Sequence, residues 1–77
     1  MEYGIAVDLG ATNIRIAAGT ARGEFIARAY AHTNLLEGAE AISLQVISMI
    51  RRLQDEAGLA LKDMVGIGVG AFGPKTP

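Results

Sequence analysis

Apolar residues occupy every second position near the start of the chain: Tyr3, Ile5, Val7 and Leu9. This alternation has the period of a β-strand and predicts a strand with one apolar face, from which Asp8 points away. Residues 10–13 are small or polar and predict a turn. A second alternation follows over residues 14–18, where positions 14, 16 and 18 are apolar and face opposite to positions 15 and 17. Together the two segments predict a hairpin.

A second turn and a third strand are predicted next. Gly19 and Gly23 bound the turn, and either glycine is able to adopt a positive φ. The third strand is predicted to run from about Glu24 to Ala31. The first three strands are therefore expected to be antiparallel.

A helix from about Leu36 to Ala57 is predicted because apolar residues recur at spacings of three and four. Thr33 or Asn34 is suited to cap its N-terminus, and Gly58 fits the C′ position after its end. Charged residues in the first and last turns match the helix dipole: Glu37, Glu40, Arg51 and Arg52. The apolar stripe expected to pack on the sheet consists of Ala39, Ile42, Val46, Ile50, Leu53 and Ala57.

The last predicted element is a buried strand from Met64 to Gly70, an apolar run interrupted by glycines. It follows the helix, so it is expected to lie parallel to the first strand. One helix covers one face of a sheet, which leaves this strand without cover on the other. We therefore expect either the N-terminal part of a larger protein or a subunit that completes its core by association.

Composition excludes several classes of function. The 77 residues are 51% hydrophobic and 19% charged, which is typical of a small globular domain and not of a disordered chain. Seven basic residues nearly balance eight acidic ones, so neither a nucleic-acid partner nor an anionic membrane surface is expected. The absence of cysteine excludes a disulfide and a thiol nucleophile. No leader or membrane-spanning pattern is visible, and a cytoplasmic location is expected.

Residues 8–15, which read DLGATNIR, carry the clearest candidate chemistry. A carboxylate at a strand end is followed by small residues and two short polar side chains. The backbone N–H groups of a tight turn can surround a phosphate, and the Thr12 hydroxyl and Asn13 amide add donors. Asp8 would then hold Mg²⁺, which is commonly bound by one carboxylate, waters and phosphate oxygens. The alternative is an ordinary hairpin whose glycine and asparagine satisfy turn geometry.

This segment resembles the first phosphate motif of sugar kinases in the actin-like ATPase superfamily, and it is most similar to the ROK group and to bacterial-type glucokinases. Residues 66–74, which read GIGVGAFGP, resemble the glycine-rich strand ending in Gly-Pro of ROK kinases, including fructokinase-like members. Three departures are visible. Ala11 stands where many members have glycine, and Asn13 stands where lysine is common. After Gly-Pro the family usually continues with an apolar residue and then aspartate, whereas residues 75–77 read KTP.

The resemblance implies an α/β fold of the actin-like ATPase (ribonuclease H-like) type, with residues 1–77 forming the N-terminal part of a domain in β-β-β-α-β order. It implies ATP and Mg²⁺ as cofactors, with the metal on Asp8. The ATP phosphates would be bound by Gly10, Ala11, Thr12 and Asn13. Gly73 and Pro74 would lie near the sugar.

The activity implied is transfer of the ATP γ-phosphate to a hexose hydroxyl. The catalytic base of the family lies beyond the equivalent of residue 77, so the chain alone is expected to be inactive and to need the remaining C-terminal portion of the kinase as its partner. A homo-oligomer is expected at full length.

Two alternatives remain open. The first is a non-catalytic nucleotide-binding or assembly module, and the second is another actin-like ATPase. Residues 68–73 also fit G-x-G-x-x-G, but a dinucleotide site needs a helix after the turn, and Pro74 disfavours one. These glycines are instead expected to allow close approach of a strand or ligand.

Overall fold

A computed structural model describes residues 1–34 and 37–71 of the chain, the side chain of Ala71 excepted. The predicted β-β-β-α-β order is confirmed within these residues. The elements are β1 (Tyr3–Leu9), β2 (Asn13–Gly19), β3 (Phe25–His32), α1 (Ala39–Ala57) and β4 (Met64–Ala71). A short 3-10 turn, Leu61–Asp63, leads into β4.

The four strands found in the described residues form one sheet in the order β3-β2-β1-β4. β1 pairs antiparallel with β2, and β2 pairs antiparallel with β3. β4 returns through α1 to pair parallel with β1, as predicted. The C-terminal end of β4 therefore lies beside the end of β1 that carries Asp8.

The core lies between α1 and one face of the sheet. The alternating residues of β1 and β2 supply its sheet side, because successive side chains of a strand point to opposite faces. Ile50 and Leu53 of α1 pack onto them, with Val46 partly buried beside them. The buried sheet residues are Tyr3, Ile5, Val7, Ile14, Ile16 and Ala18. Both strands thus bury the faces predicted from their pattern.

The helix N-terminus differs from the prediction. α1 begins at Ala39, and the predicted start at Leu36 lies outside the described residues. Gly38 occupies the N-cap position with a φ of 89° and makes no side-chain cap. Neither Thr33 nor Asn34 caps the helix, because both lie several residues before its N-cap. The Asn34 N–H instead donates to Gln45 Oε1 at 3.0 Å, and the Thr33 hydroxyl donates to Gly10 O.

The charge pattern predicted for α1 is only partly present. Glu40 lies in the first turn, but Glu37 precedes the helix. The last turn of α1 holds no basic residue, because Arg51 and Arg52 lie before it.

The helix C-terminus is as predicted. Gly58 adopts the left-handed conformation, with φ 67° and ψ 32°. The Leu59 N–H donates to Gln54 O at 2.8 Å, and the Gly58 N–H donates to Asp55 O at 3.4 Å. These two bonds form a Schellman motif, which satisfies carbonyls that the helix leaves unpaired.

A buried polar contact joins β1 to α1. The Gln54 Nε2 group donates to the Tyr3 hydroxyl at 3.0 Å, and that hydroxyl donates to Ala60 O at 2.9 Å. The apolar spacing did not predict Gln54 as a core residue. Its burial is tolerated because the amide and the phenol satisfy each other.

The turn between β2 and β3 uses one of the two predicted glycines. Gly23 has a φ of 82°, whereas the φ of Gly19 is not positive. A side chain at Gly19 would still be crowded, because an added Cβ would lie 3.2 Å from Glu24 O. Gly19 is therefore needed for close approach and Gly23 for its conformation.

The prediction that β4 is a buried strand is wrong. Its outward-exposed apolar residues are Val65 (67%), Ile67 (48%) and Val69 (64%). The register places Ile67 beside Ile5 and Val69 beside Val7, on the face that α1 covers elsewhere. The helix lies against β2 and β3, so it does not reach across to the outermost strand. Across the described ranges, no helix is sufficiently long and apolar to span a membrane.

Candidate functional site

The loop between β1 and β2 is short and tightly closed. The Gly10 N–H donates to Asn13 O at 2.8 Å, which leaves Ala11 and Thr12 at the tip. A Cβ on Gly10 would lie 3.1 Å from the same Asn13 oxygen. Glycine at position 10 thus permits the backbones to approach, and none of the loop residues has a positive φ.

Thr33, which follows β3, holds the carbonyl side of this loop. Its Oγ1 donates to Gly10 O at 3.2 Å, and its backbone N–H donates to Thr12 O at 2.8 Å. The N–H groups of Ala11 and Thr12 donate to no other residue that the structure describes. The Gly10, Thr12 and Asn13 carbonyls are engaged while these two amides are available. The loop therefore presents backbone N–H groups of the kind that bind anions.

Asn13 connects the loop to β3 through side chains. The Tyr30 hydroxyl donates to Asn13 Oδ1 at 2.6 Å. Asn13 Nδ2 in turn donates to Thr12 Oγ1 at 3.1 Å. The Thr12 hydroxyl at the tip is thus linked to the neighbouring strand.

Asp8 lies two residues before the loop, on the sheet face away from α1. It is half-buried, opposite Arg15 on β2 and beside Gly70 on β4. Within the described residues its carboxylate takes part in no ion pair or hydrogen bond. A free carboxylate beside available N–H groups is suited to a cation that also carries a phosphate.

The single carboxylate beside the loop suits magnesium better than a metal ion whose ligands all come from protein side chains. Among the described residues, no group of three or more acidic, histidine or cysteine side chains could hold an ion. Mg²⁺ keeps several waters and is usually bound by one or two carboxylates together with substrate phosphates. One carboxylate beside an anion-binding loop meets that requirement.

The same face of the sheet forms an open concavity of about 750 Å³. Its floor is made of small residues of three strands: Ala6, Ala17, Gly68 and Gly70. Asp8, Arg15 and Tyr30 form one row across it, at the end nearest the loop. At the next row Arg28 stacks its guanidinium 4.0 Å from the centre of the Phe25 ring. The concavity therefore ends at the row that contains Asp8, two residues before the loop.

The structure brings together the predicted residues Asp8, Gly10, Ala11, Thr12 and Asn13 at one end of the sheet. The other two predicted site residues, Gly73 and Pro74, lie outside the described residues.

Sequence reasoning missed two residues of the site, Thr33 and Tyr30. Thr33 is polar, but its position before a helix predicts a helix cap and not a contact with the hairpin. Tyr30 gave no signal, because its contact with Asn13 depends on the register between β2 and β3. That register pairs Tyr30 with Arg15, two pairs inward from Asn13 and His32 and therefore on the same face of the sheet.

No family model and no curated protein matches the chain. Twenty-four chains of solved structures do match. One is a candidate N-acetylglucosamine kinase from Chromobacterium violaceum, with a TM-score of 0.68 and 28% identity over 96% of this chain. Another is YeaZ from Pseudomonas aeruginosa, with a TM-score of 0.66 and 25% identity over 99% of this chain.

This chain spans 27% of the first of these proteins and 32% of the second. Both likenesses support a relationship to sugar kinases and actin-like ATPases. The α/β fold seen here is that of the actin-like ATPases, as the sequence predicted.

Proposed function

We propose that the chain is the N-terminal part of an ATP-dependent hexose kinase similar to the ROK glucokinases and fructokinases. Residues 1–77 would form part of one actin-like ATPase domain. The observation that carries the proposal is the loop of Gly10, Ala11 and Thr12, whose carbonyls are held by Thr33 while Asp8 stands free beside it. The likeness to a candidate N-acetylglucosamine kinase supports the choice of a kinase.

In this proposal the ATP phosphates bind at residues 10–13. The N–H groups of Ala11 and Thr12, together with the Thr12 hydroxyl, are the donors that meet the phosphate oxygens. Gly10 lets the two sides of the loop approach each other, and the Asn13 amide donates a hydrogen bond to the Thr12 hydroxyl oxygen. Asp8 holds Mg²⁺, which supplies charge neutralisation to the transferring phosphoryl group.

The sugar and the rest of the protein belong to the same proposal. We assign Gly73 and Pro74 to the neighbourhood of the hexose on the basis of the family resemblance. Phosphoryl transfer to a hydroxyl also needs a carboxylate that accepts the proton. The remaining portion of the kinase would supply that base, and the full-length protein is proposed to be a homo-oligomer in the cytoplasm.

The proposal is tested by titrating the isotopically labelled chain with MgATP and following its backbone amides by NMR. We expect the largest shifts at residues 10–13. Asp8→Asn should weaken MgATP binding about tenfold, because the metal loses its only charged protein ligand within the concavity. In EDTA the same substitution should not weaken binding of metal-free ATP, because removing a negative charge favours an anion.

Asp55→Asn is the matched control, since it makes the same chemical change on an exposed part of α1. It should leave the affinity for MgATP unchanged. Shifts scattered away from the hairpin, or equal losses for both aspartate variants, would contradict the assignment of Asp8 and the loop.

A second candidate function is a non-catalytic assembly module of the same fold. The exposed apolar residues of β4 favour it, because edge strands with such residues pair readily with other chains. A stable oligomer of the chain that is indifferent to MgATP would support this candidate over the kinase.

A further inference from the structure

Three side chains form a directed chain of hydrogen bonds that ends at the tip of the hairpin. Tyr30 has a single hydroxyl proton and gives it to Asn13 Oδ1. This contact orients the Asn13 amide so that its NH₂ group faces Thr12 Oγ1 and donates to it. Thr12 Oγ1 therefore acts as an acceptor towards Asn13, and its own proton is left to point elsewhere.

Both ends of this series of hydrogen bonds are held by β3 and by Thr33, the residue that follows β3. The Tyr30 ring meets the His32 ring edge-on, with the centroids 5.9 Å apart and the planes at 70°. At the other end, the Thr33 N–H holds Thr12 O at 2.8 Å. The backbone and the side chain of Thr12 are thus positioned by neighbouring residues of one segment.

We propose that Tyr30 is a positioning residue for nucleotide binding, which acts through Asn13 to turn the Thr12 hydroxyl proton towards a phosphate oxygen. The inference rests on the proposed function of the hairpin. Tyr30 itself touches no phosphate in this proposal.

The physical reason is that an asparagine amide has two ends of opposite polarity. Without the Tyr30 proton, the Asn13 side chain is free to rotate and to present Oδ1 to Thr12. The Thr12 hydroxyl would then donate to Asn13 and lose its proton as a donor for the ligand. Tyr30 therefore selects which of two hydrogen-bond directions the hairpin adopts.

The test is a double-mutant cycle on MgATP affinity, measured by NMR titration of the chain. Tyr30→Phe and Thr12→Val should each weaken binding about fivefold, because each removes the same donor from the phosphate. If Tyr30 acts through the Thr12 hydroxyl, the double variant should also lose about fivefold. Independent effects would multiply to about 25-fold and would overturn the proposal.

A spectroscopic readout tests the hydrogen bonds without nucleotide. In the free chain, Tyr30→Phe should shift the side-chain NH₂ resonances of Asn13. Tyr3→Phe is the matched control, because it removes a hydroxyl that bonds Ala60 and Gln54 instead of the hairpin. It should alter neither those resonances nor the MgATP affinity of the folded chain.

The outcomes separate the two proposals. Unchanged Asn13 resonances in Tyr30→Phe, or additive losses in the cycle, would overturn the role of Tyr30 while leaving the hairpin as a nucleotide site. A folded chain that binds no MgATP would overturn the proposed function and the role of Tyr30 with it. Thr12→Ser, which keeps the hydroxyl, should retain the sensitivity to Tyr30→Phe.

Discussion

At the scale of single residues, Thr33 shows how one side chain sets the shape of the candidate site. Its hydroxyl and its backbone N–H each hold a carbonyl of the hairpin, those of Gly10 and Thr12. Both bonds bridge segments about twenty residues apart in the chain. The orientation of the loop therefore depends on β3 as much as on the loop sequence.

Replacing Thr33 with valine tests this contribution. Thr33→Val keeps the shape and the backbone bond but removes the 3.2 Å bond to Gly10 O. We expect the free energy of unfolding to fall by about 1 kcal/mol, the usual net value of one hydrogen bond. Urea denaturation measures the change. Thr33→Ser keeps the hydroxyl and should be closer to the native chain, whereas equal losses for both variants would attribute the effect to packing.

At the scale of elements, the two ends of α1 are determined differently. The C-terminal end depends on Gly58, whose left-handed conformation closes the Schellman motif within α1 itself. The N-terminal end has no side-chain cap, and the side chain of Gln45 instead bonds the Asn34 N–H and His32 O, which precede the helix. The C-terminal end was predictable from local preference, and the N-terminal end was not.

Gly58→Ala should destabilise the chain by about 1 kcal/mol, because an alanine in the left-handed region places its Cβ close to the backbone. Thermal or urea unfolding provides the measurement. Gly68→Ala is the control, since Gly68 has no positive φ and an added Cβ meets no atom within 4 Å. A loss for Gly68→Ala as large as that for Gly58→Ala would show that conformation at position 58 is not the cause.

At the scale of the whole molecule, the sheet is covered unevenly. α1 packs on β2 and β3, while β4 exposes Val65, Ile67 and Val69. The opposite face carries the concavity, in which Asp8 is the one carboxylate among the described lining residues. If Asp8 holds the metal, the same group is unsuited to accept the proton of a sugar hydroxyl.

We therefore expect the 77-residue chain by itself not to phosphorylate hexoses, even if it binds MgATP. A coupled assay for ADP release, run with and without glucose, fructose, mannose or N-acetylglucosamine, measures this directly. Sugar-dependent turnover that survives repurification would contradict the expectation. Any ADP release that Asp8→Asn leaves unchanged would indicate a contaminating enzyme.

Sequence alone determined the order of the elements, the buried faces of β1 and β2, the hairpin at residues 10–13 and the glycine end of α1. Each of these follows from a local cause: the period of two along a strand, the small residues that a tight turn needs, or a positive φ. For the same reason the cluster of Asp8 with the hairpin could be predicted as a candidate site.

The surroundings of that hairpin depend on contacts between segments that are distant in sequence. Tyr30 reaches Asn13 because of the register between β2 and β3, and Thr33 reaches Gly10 because β3 ends beside the turn. β4 remains exposed because it is an edge strand and α1 packs over β2 and β3, near the opposite edge of the same sheet. Register and strand order join residues far apart in the chain, and no local pattern of polarity encodes those distances.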